Sequence, residues 1–389
     1  MVNLAVLGIC VKDGHIMDYA KSKLRGHNLD VHAVDSVALD EDLDRLSDFL
    51  RLIPSLDFMI IHVHGDVSYF RHWDDVKGKI EECGISAIFN CTEFETTAEH
   101  RYLFRQGDEE YKRILRLQEI GGDENQYATA VWALNTFGGE HLDVPEPVQP
   151  MTEGYYHPDR GTLSLEEALK DIDNTKGPVI AVFFHQKYWL VHNTSAVETV
   201  IRCVERTGAV TVPIFMVTHE NSITGSIGIR KIVDRYLIRD GKPIMDCIVN
   251  TMGFSQTLLA DPGSGEQLSV DNFFERLGVP VIQAISLYNP VKEWADSPLG
   301  LNAADISMSV VNPEFDGQID TVPYGGTEMD ENGNYRQIAI EDRCEMIADT
   351  AYRWAMLRHI PNPEKKIAIL IYMYPPRQDL AGGGYGLDT

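Results

Sequence analysis

The chain has 389 residues, with 59 Asp and Glu against 34 Lys and Arg, a formal net charge of −25 at pH 7. That length supports two or three domains with sizeable cores, and 44% hydrophobic with 24% charged residues is ordinary globular composition, which excludes a disordered chain, a collagen-like fibre and a disulfide miniprotein. The acidic balance argues against nucleic acid as a partner, because phosphates are repelled and no run of Lys and Arg supplies a local basic groove.

In chain order, residues 2–11 form an apolar run closed by Lys12, Asp13 and Gly14, which predicts a buried strand and a turn. Residues 28–34 predict a second strand, 39–53 an acidic helix, 58–63 a third strand ending in His64, Gly65 and Asp66, and 85–89 a fourth. Strands alternating with helices indicate βαβ units and a parallel, doubly wound sheet. Two helices follow at 109–120 and 124–136, parted by Gly121 and Gly122, and the Gly- and Pro-rich stretch 138–158 reads as a linker. The alternation then restarts. Residues 165–172 predict a short helix, 179–184 a strand, 196–207 a helix ended by Gly208, 210–215 a strand and 230–239 a helix. Further strands are expected at 247–251 and 279–285, with a helix at 270–277 closed by Gly278 between them. A long helix at 342–358 leads to a strand at 366–373 that has no helix after it to cover it, as if a third domain were cut off at its start.

The expected class is therefore α/β: two Rossmann-like, doubly wound parallel-sheet domains plus the start of a third. The expected divisions are an N-terminal domain at 1–140, a linker with a short helix at 141–178, a second domain at 179–340, and a helix with the first strand of a truncated domain at 341–389. The six cysteines are scattered without a C-x-x-C and several lie in apolar runs, which suits reduced core thiols in the cytoplasm. The N-terminus has neither the basic segment nor the cleavage site of a signal peptide, and no apolar stretch is long enough to span a membrane.

The nucleotide signatures G-x-x-x-x-G-K-[ST] and G-x-G-x-x-G do not occur, so ATP, if it drives the work, binds on another chain. Gly225 and Gly228 before a helix read as an ordinary loop. His62 and His64, two apart at a strand end, point to one side, and the carboxyl ends of parallel strands are where α/β proteins bind ligands. With Asp66 they are candidate metal ligands or proton shuttles, and His64 is also a candidate for binding substrate. After the strand at 179–184 come His185, Lys187, Tyr188, Trp189, His192 and Asn193. Flat aromatic faces suit a planar ligand and Lys187 suits a carboxylate, while a helix cap with core aromatics is the bland alternative. Glu314 and Asp316, two apart before Gly317, are either a catalytic carboxylate pair or a turn.

At these same segments the chain resembles the large subunit of the ATP-dependent cobaltochelatases and magnesium chelatases, which insert a metal ion into a tetrapyrrole. The resemblance runs through Gly154, Tyr155, Tyr156, His157, Pro158 and Asp159 (G-x-Y-H-P-D), and the strand and basic-aromatic loop ending at Asn193 and Thr194. It continues through Asn250, Thr251, Met252, Gly253, Phe254 and Ser255 (N-T-T-G-F-S), and Trp294, Ser297, Gly300 and Leu301 (W-x-x-S-x-x-G-L). Pro313, Glu314, Phe315, Asp316 and Gly317 (P-E-[FL]-D-G) and the segment from Arg353 to Pro376 complete it. It covers residues 150–389 well and the first domain loosely, and the wording at 154–159 and 386–389 is closer to the cobalt-inserting branch. His185, His192 and Gly382 to Gly384 depart from the usual pattern.

The resemblance implies the N-terminal portion of a longer subunit, inactive alone, that takes part in inserting cobalt into a hydrogenobyrinic acid diamide-like tetrapyrrole in cobalamin biosynthesis. AAA+ partner subunits would hydrolyse the ATP. A polycarboxylate substrate would call on local cations, for which Lys187, Arg202, Arg230 and Lys231 are candidates. The alternatives are a magnesium-chelatase porphyrin-binding subunit of (bacterio)chlorophyll biosynthesis and a non-catalytic tetrapyrrole-binding module.

Overall fold

The structure is a computed structural model and describes residues 1–11, 14–170, 172, 176–257, 272–329, 335–368 and 370. The apolar runs become strands buried on both faces, which is possible only where helices cover both sides of a sheet. In the first lobe, β1 (Val2–Ile9), β2 (Leu29–Asp35), β3 (Phe58–Val63) and β4 (Ser86–Cys91) pair in parallel in the order β2-β1-β3-β4. Alternate side chains of β1 serve two cores. Ala5, Leu7 and Ile9 meet Leu46, Phe49, Val76 and Ile80 of the helices Leu43–Leu52 and Trp73–Cys83. Leu4 and Val6 meet Ile114, Leu117, Val131 and Trp132 of the helices Asp108–Ile120 and Asp123–Gly138.

The second lobe contains β5 (Gly154–His157), β6 (Gly161–Leu163), β7 (Val179–His185), β8 (Val210–Met216) and two short ribbons, β9 (Glu220–Asn221) with β10 (Ser226–Ile227) and β11 (Ile238–Arg239) with β12 (Lys242–Pro243). It continues through β13 (Cys247–Asn250), β14 (Val281–Pro290), β15 (Ile319–Met329) and β16 (Tyr335–Ala339). Its main sheet runs β16-β15-β14-β13-β7-β8-β5-β6, parallel from β15 through β8 and antiparallel at both edges. The helices Ser195–Arg206 and Glu341–Met356 cover one face through Val197, Val200, Ile201, Ile347, Ala348 and Ala351. The helices Gly228–Ile232 and Phe273–Leu277 help cover the other through Ile229, Ile232, Phe273 and Leu277.

Five expectations change. Residues 141–178, read as linker and short helix, contribute β5 and β6 to the second sheet, because β5 pairs with β8. The helix expected to open a following domain packs on the second sheet instead, since its Cys344, Ile347 and Ala351 lie in the same core as Val182 and Val249. The helix at 39–53 breaks at Asp42, whose carboxylate caps the second piece by accepting from Asp44 N at 2.9 Å and Arg45 N at 3.2 Å. The helix at 230–239 becomes Gly228–Ile232, a π turn Val233–Leu237 and then β11. Of the strand expected at 366–373, residues 366–368 and 370 are not in a strand, and the rest, with the chain to Thr389, lies outside the described residues.

Gly325 pairs with Ala339 across β15 and β16, and a Cβ there would collide with the Ile338 carbonyl and reach Ala196 Cβ at 3.2 Å. Gly325→Ala should therefore cost about 1–3 kcal/mol, as overpacking does, measured by urea unfolding.

Candidate functional site

An open parallel sheet leaves a crevice at the carboxyl ends of its strands where the winding direction reverses. In the first lobe that point lies between β1 and β3, where the His64 amide donates to Ile9 O at 3.0 Å. Cys10 beside it has left-handed backbone (φ 56°), and Asp35, ending β2, accepts from Val37 N at 2.8 Å to cap the next helix. In the second lobe the reversal lies between β7 and β13, where His185 ends β7 and Thr251 Oγ1 donates to Phe183 O at 2.9 Å.

The two crevices face one another. His185 is held down to about 4 by burial first, then by Lys187, His64 and His219, none of which tolerates a further positive charge nearby. His64 is lowered by burial and then by Lys187, with Glu93 opposing. Both imidazoles are therefore biased toward the neutral form, reluctant to take up a proton but able to donate a lone pair to a metal ion. His185 Nδ1 accepts from Lys187 N at 3.0 Å, which leaves Nε2 as the outward nitrogen. Tyr288 of β14 approaches from the second lobe, since Cys10, Asp35 and Tyr69 join burial in raising its phenol. Its amide is pinned by the buried carboxylate of Asp305 at 2.8 Å. Side chains tie the lobes together: His192 Nε2 pairs with Asp123 Oδ2 at 2.7 Å, Arg116 donates to Ile223 O at 3.0 Å, and Gln149 to Thr224 O at 2.5 Å.

The structure brings His64, His185 and Lys187 together but separates the other sequence candidates from them. His62 Nε2 bonds Gln118 Oε1 at 3.0 Å inside the first lobe, and Gln118 is itself held by Thr129 and Gln126. Asp66 is exposed and caps a turn by accepting from Ser68 N at 2.7 Å, the bond that lowers its pKa. Among the described residues no group of three or more His, Cys, Asp or Glu is arranged to hold a metal ion, so His62, His64 and Asp66 do not form one. Trp189 stacks on Phe215 at 4.4 Å with rings 4° from parallel and donates Nε1–H to Thr162 Oγ1 at 2.9 Å. Tyr188 packs partly buried against the second core. The flat faces read as a ligand platform are thus turned largely to the protein. Asn193 Oδ1 accepts from Gln337 N at 2.8 Å and so fastens the loop to β16, while His192 fastens it to the first lobe.

Glu314 is exposed, whereas Asp316 is 2% exposed. Asp316 accepts from Ser255 Oγ at 2.6 Å, Gln256 N at 2.5 Å, the Thr257 hydroxyl and Gln318 Nε2 at 3.4 Å. A carboxylate so fully engaged organises the loop after β13 and does not act as a base in this arrangement. Next to it, Asn250 Nδ2 donates to Gln318 Oε1 at 2.9 Å and Gln283 Nε2 to Met252 O at 3.2 Å, a buried amide network that sequence reasoning missed. Its only outward signal was the pair of segments at 250–255 and 313–317, whose contact is 61 residues apart along the chain. The Trp294–Gly300 segment lines a different feature, an open pocket of about 350 Å³ shared with Ile340, Asp342 and Arg343.

The low pKa of His185 has a thermodynamic consequence. Between its ordinary 6.5 and about 4, the unfolded chain takes up a proton that the folded chain refuses. Its contribution is complete above this window and declines as pH falls through it, by up to about 1.4 kcal/mol per pH unit. His185→Gln should flatten that part of the acid slope, as read by urea unfolding at a series of pH values, with the imidazole titration followed by NMR.

Comparison with known proteins gives one consistent answer. The family described as CobN/Magnesium Chelatase matches residues 102–389. An uncharacterised protein of Methanocaldococcus jannaschii is 31% identical over 298 residues, 72% of this chain and 23% of its own length. The aerobic cobaltochelatase subunit CobN of Pseudomonas aeruginosa is 27% identical over 337 residues, 85% of this chain and 26% of its own. The chloroplastic magnesium-chelatase subunit ChlH of Oryza sativa subsp. indica is 26% identical over 259 residues, 63% of this chain and 18% of its own. A solved catalytic subunit of cobaltochelatase from Mycobacterium tuberculosis shares the fold with a TM-score of 0.64 and 22% identity, covering 99% of this chain and 29% of that one. Although it spans only about a quarter of the length of the Methanocaldococcus and Pseudomonas relatives, the chain belongs to the CobN/magnesium chelatase family.

Proposed function

We propose that this chain forms part of a chelatase large subunit that binds a tetrapyrrole and takes part in ATP-dependent insertion of cobalt into it, in the cytoplasm. The observation that carries the proposal is the pair of facing crevices, each contributing an imidazole, His64 and His185, biased toward its neutral form. Insertion exchanges two pyrrole N–H protons for one divalent cation, so it needs proton acceptors and a route by which the ion sheds water beside the ring. His64 and His185, kept neutral, would pass the ion on through their lone pairs, and Lys187 would meet a carboxylate of the macrocycle. Tyr188, Trp189, His192 and Asn193 would shape and anchor the loop that carries Lys187.

Of the other cations considered, Arg202 pairs with Asp159 at 2.5 Å and Lys231 with Glu220 at 2.6 Å, whereas Arg230 reaches the loop after β13. The chain carries no phosphate-binding loop sequence, in keeping with ATP hydrolysis on AAA+ partner subunits and with this portion being inactive alone. Among the described residues no helix is long and apolar enough to cross a membrane. Magnesium is the second reading, favoured by the similarity to the Oryza magnesium-chelatase subunit.

The test is tetrapyrrole binding and metal insertion by the full-length subunit with its ATPase partners, comparing cobalt with magnesium. His64→Ala and His185→Ala should each weaken binding or insertion roughly tenfold, about 1.4 kcal/mol. His64→Ala should leave the unfolding midpoint at pH 7 nearly unchanged, while His185→Ala also loses a helix cap worth about 1 kcal/mol. Unchanged binding and insertion in both variants would overturn the assignment.

A further inference from the structure

A chain carrying a net charge of −25 has reason to keep apolar side chains inside, yet several large ones stand exposed on one part of the second lobe. Phe254 is 53% exposed, Ile306 45%, Val311 44% and Phe315 63%. The last three lie on one helical run, Ala303–Ile306, a π turn Ser307–Val311, and Asn312–Phe315. In a π turn residues five apart align, so Ile306 and Val311 share a face, and Phe315, four further on, extends it.

Phe254 is brought to the same place from the other side. Its amide donates to Met308 O at 2.6 Å, in the middle of that run. The next residue, Ser255, donates to Asp316 at 2.6 Å, so Phe254 and Phe315 each stand one residue from a single buried hydrogen bond. Phe254 has left-handed backbone (φ 63°), which a bulky side chain rarely adopts. The Asp316 network thus holds an exposed ring in a conformation with an intrinsic cost, a combination that marks functional segments.

The face continues into the cleft and is bordered by a cation. Thr218 Oγ1 donates to Gln256 Oε1 at 3.2 Å, and the neighbouring His219 is among the groups that act on His185. Arg230 Nη2 donates to Thr257 O at 3.3 Å, three residues from Phe254. An apolar, aromatic surface with a guanidinium at its border is complementary to a flat conjugated ring edged with carboxylates. A second copy of this chain is a poor occupant, because it would bring another net charge of −25.

We infer that Phe254, Ile306, Val311 and Phe315 form the docking face for the flat side of the macrocycle, with Arg230 meeting one of its carboxylates. The inference rests on the tetrapyrrole reading above and extends the histidine cleft to residues that reading does not use.

The experiment titrates the full-length subunit with deuteroporphyrin IX, following quenching of protein fluorescence, for the wild type and for Phe254→Gly, Phe315→Ser, Arg230→Gln and Met346→Ser. Phe254→Gly removes the ring where the backbone suits glycine, so folding is kept. Phe315→Ser changes an exposed side chain and carries the test independently. Met346 is an equally exposed control on the helix Glu341–Met356. The two phenylalanine variants and Arg230→Gln should each bind roughly tenfold more weakly, with Met346→Ser unchanged. Wild-type binding that all three variants retain overturns this inference and leaves the tetrapyrrole reading standing. The titration is repeated with hydrogenobyrinic acid diamide, and a wild type that binds neither tetrapyrrole overturns both. Sedimentation velocity completes the test: a wild-type dimer that Phe315→Ser dissociates assigns the face to a second copy and overturns the inference.

Discussion

The organising constraint is the parallel pairing of β7 with β8 on one side and β13 on the other. Parallel neighbours cannot be joined by a tight turn, so each connection must cross the sheet as a helix or long segment and return to the amino end. The chain leaves β7 for β8 in one direction and later places β13 on the opposite flank, which opens a gap above the shared carboxyl ends. His185 sits at that gap because β7 ends there. The first lobe repeats the geometry with β1 flanked by β2 and β3: Cys10 follows β1 where His185 ends β7, and His64 follows β3 on the other side of the same gap. The cleft is thus a product of strand order in both lobes before any particular side chain is considered.

Much of this was legible in the sequence wherever burial is two-sided. The runs at 58–63 and 179–184 are apolar at every position that matters, and both are central strands. β15 was not legible, because Ile319–Met329 contains Asp320, Pro323, Gly325 and Gly326 and so breaks the apolar pattern. It is a strand because β14 and β16 bond it from either side, a long-range fact that no local pattern encodes. β5 hides in a Gly-, Tyr- and His-bearing segment for the same reason.

The site divides along the same line. The position of His64 and His185 at strand ends could be read directly, whereas the short helix Gln186–Leu190 that His185 caps was not expected. What the side chains face could not. His62 shares its strand with His64, but its partner Gln118 lies 56 residues away in a helix on the far side of the sheet. Trp189 follows Lys187 closely, yet Phe215 and Thr162 claim its ring and its N–H. Asp316 carries a carboxylate where chemistry was sought, and three hydroxyl and amide donors from 255–257 engage it instead. In each case the spacing along the chain identified a location while the tertiary partner decided the role.

The bonds from Arg116 to Ile223 O and from Gln149 to Thr224 O have a further consequence. Both acceptors are main-chain carbonyls at the tip of the β9–β10 ribbon, and a carbonyl is present whatever residue occupies the position. The side chains of Ile223 and Thr224 can therefore diverge among related proteins without losing either acceptor, whereas the two donors cannot. At the ribbon, alignment of the lobes is written in the donors Arg116 and Gln149 rather than in the acceptors, and the ribbon tip remains available for sequence variation beside an otherwise constrained cleft.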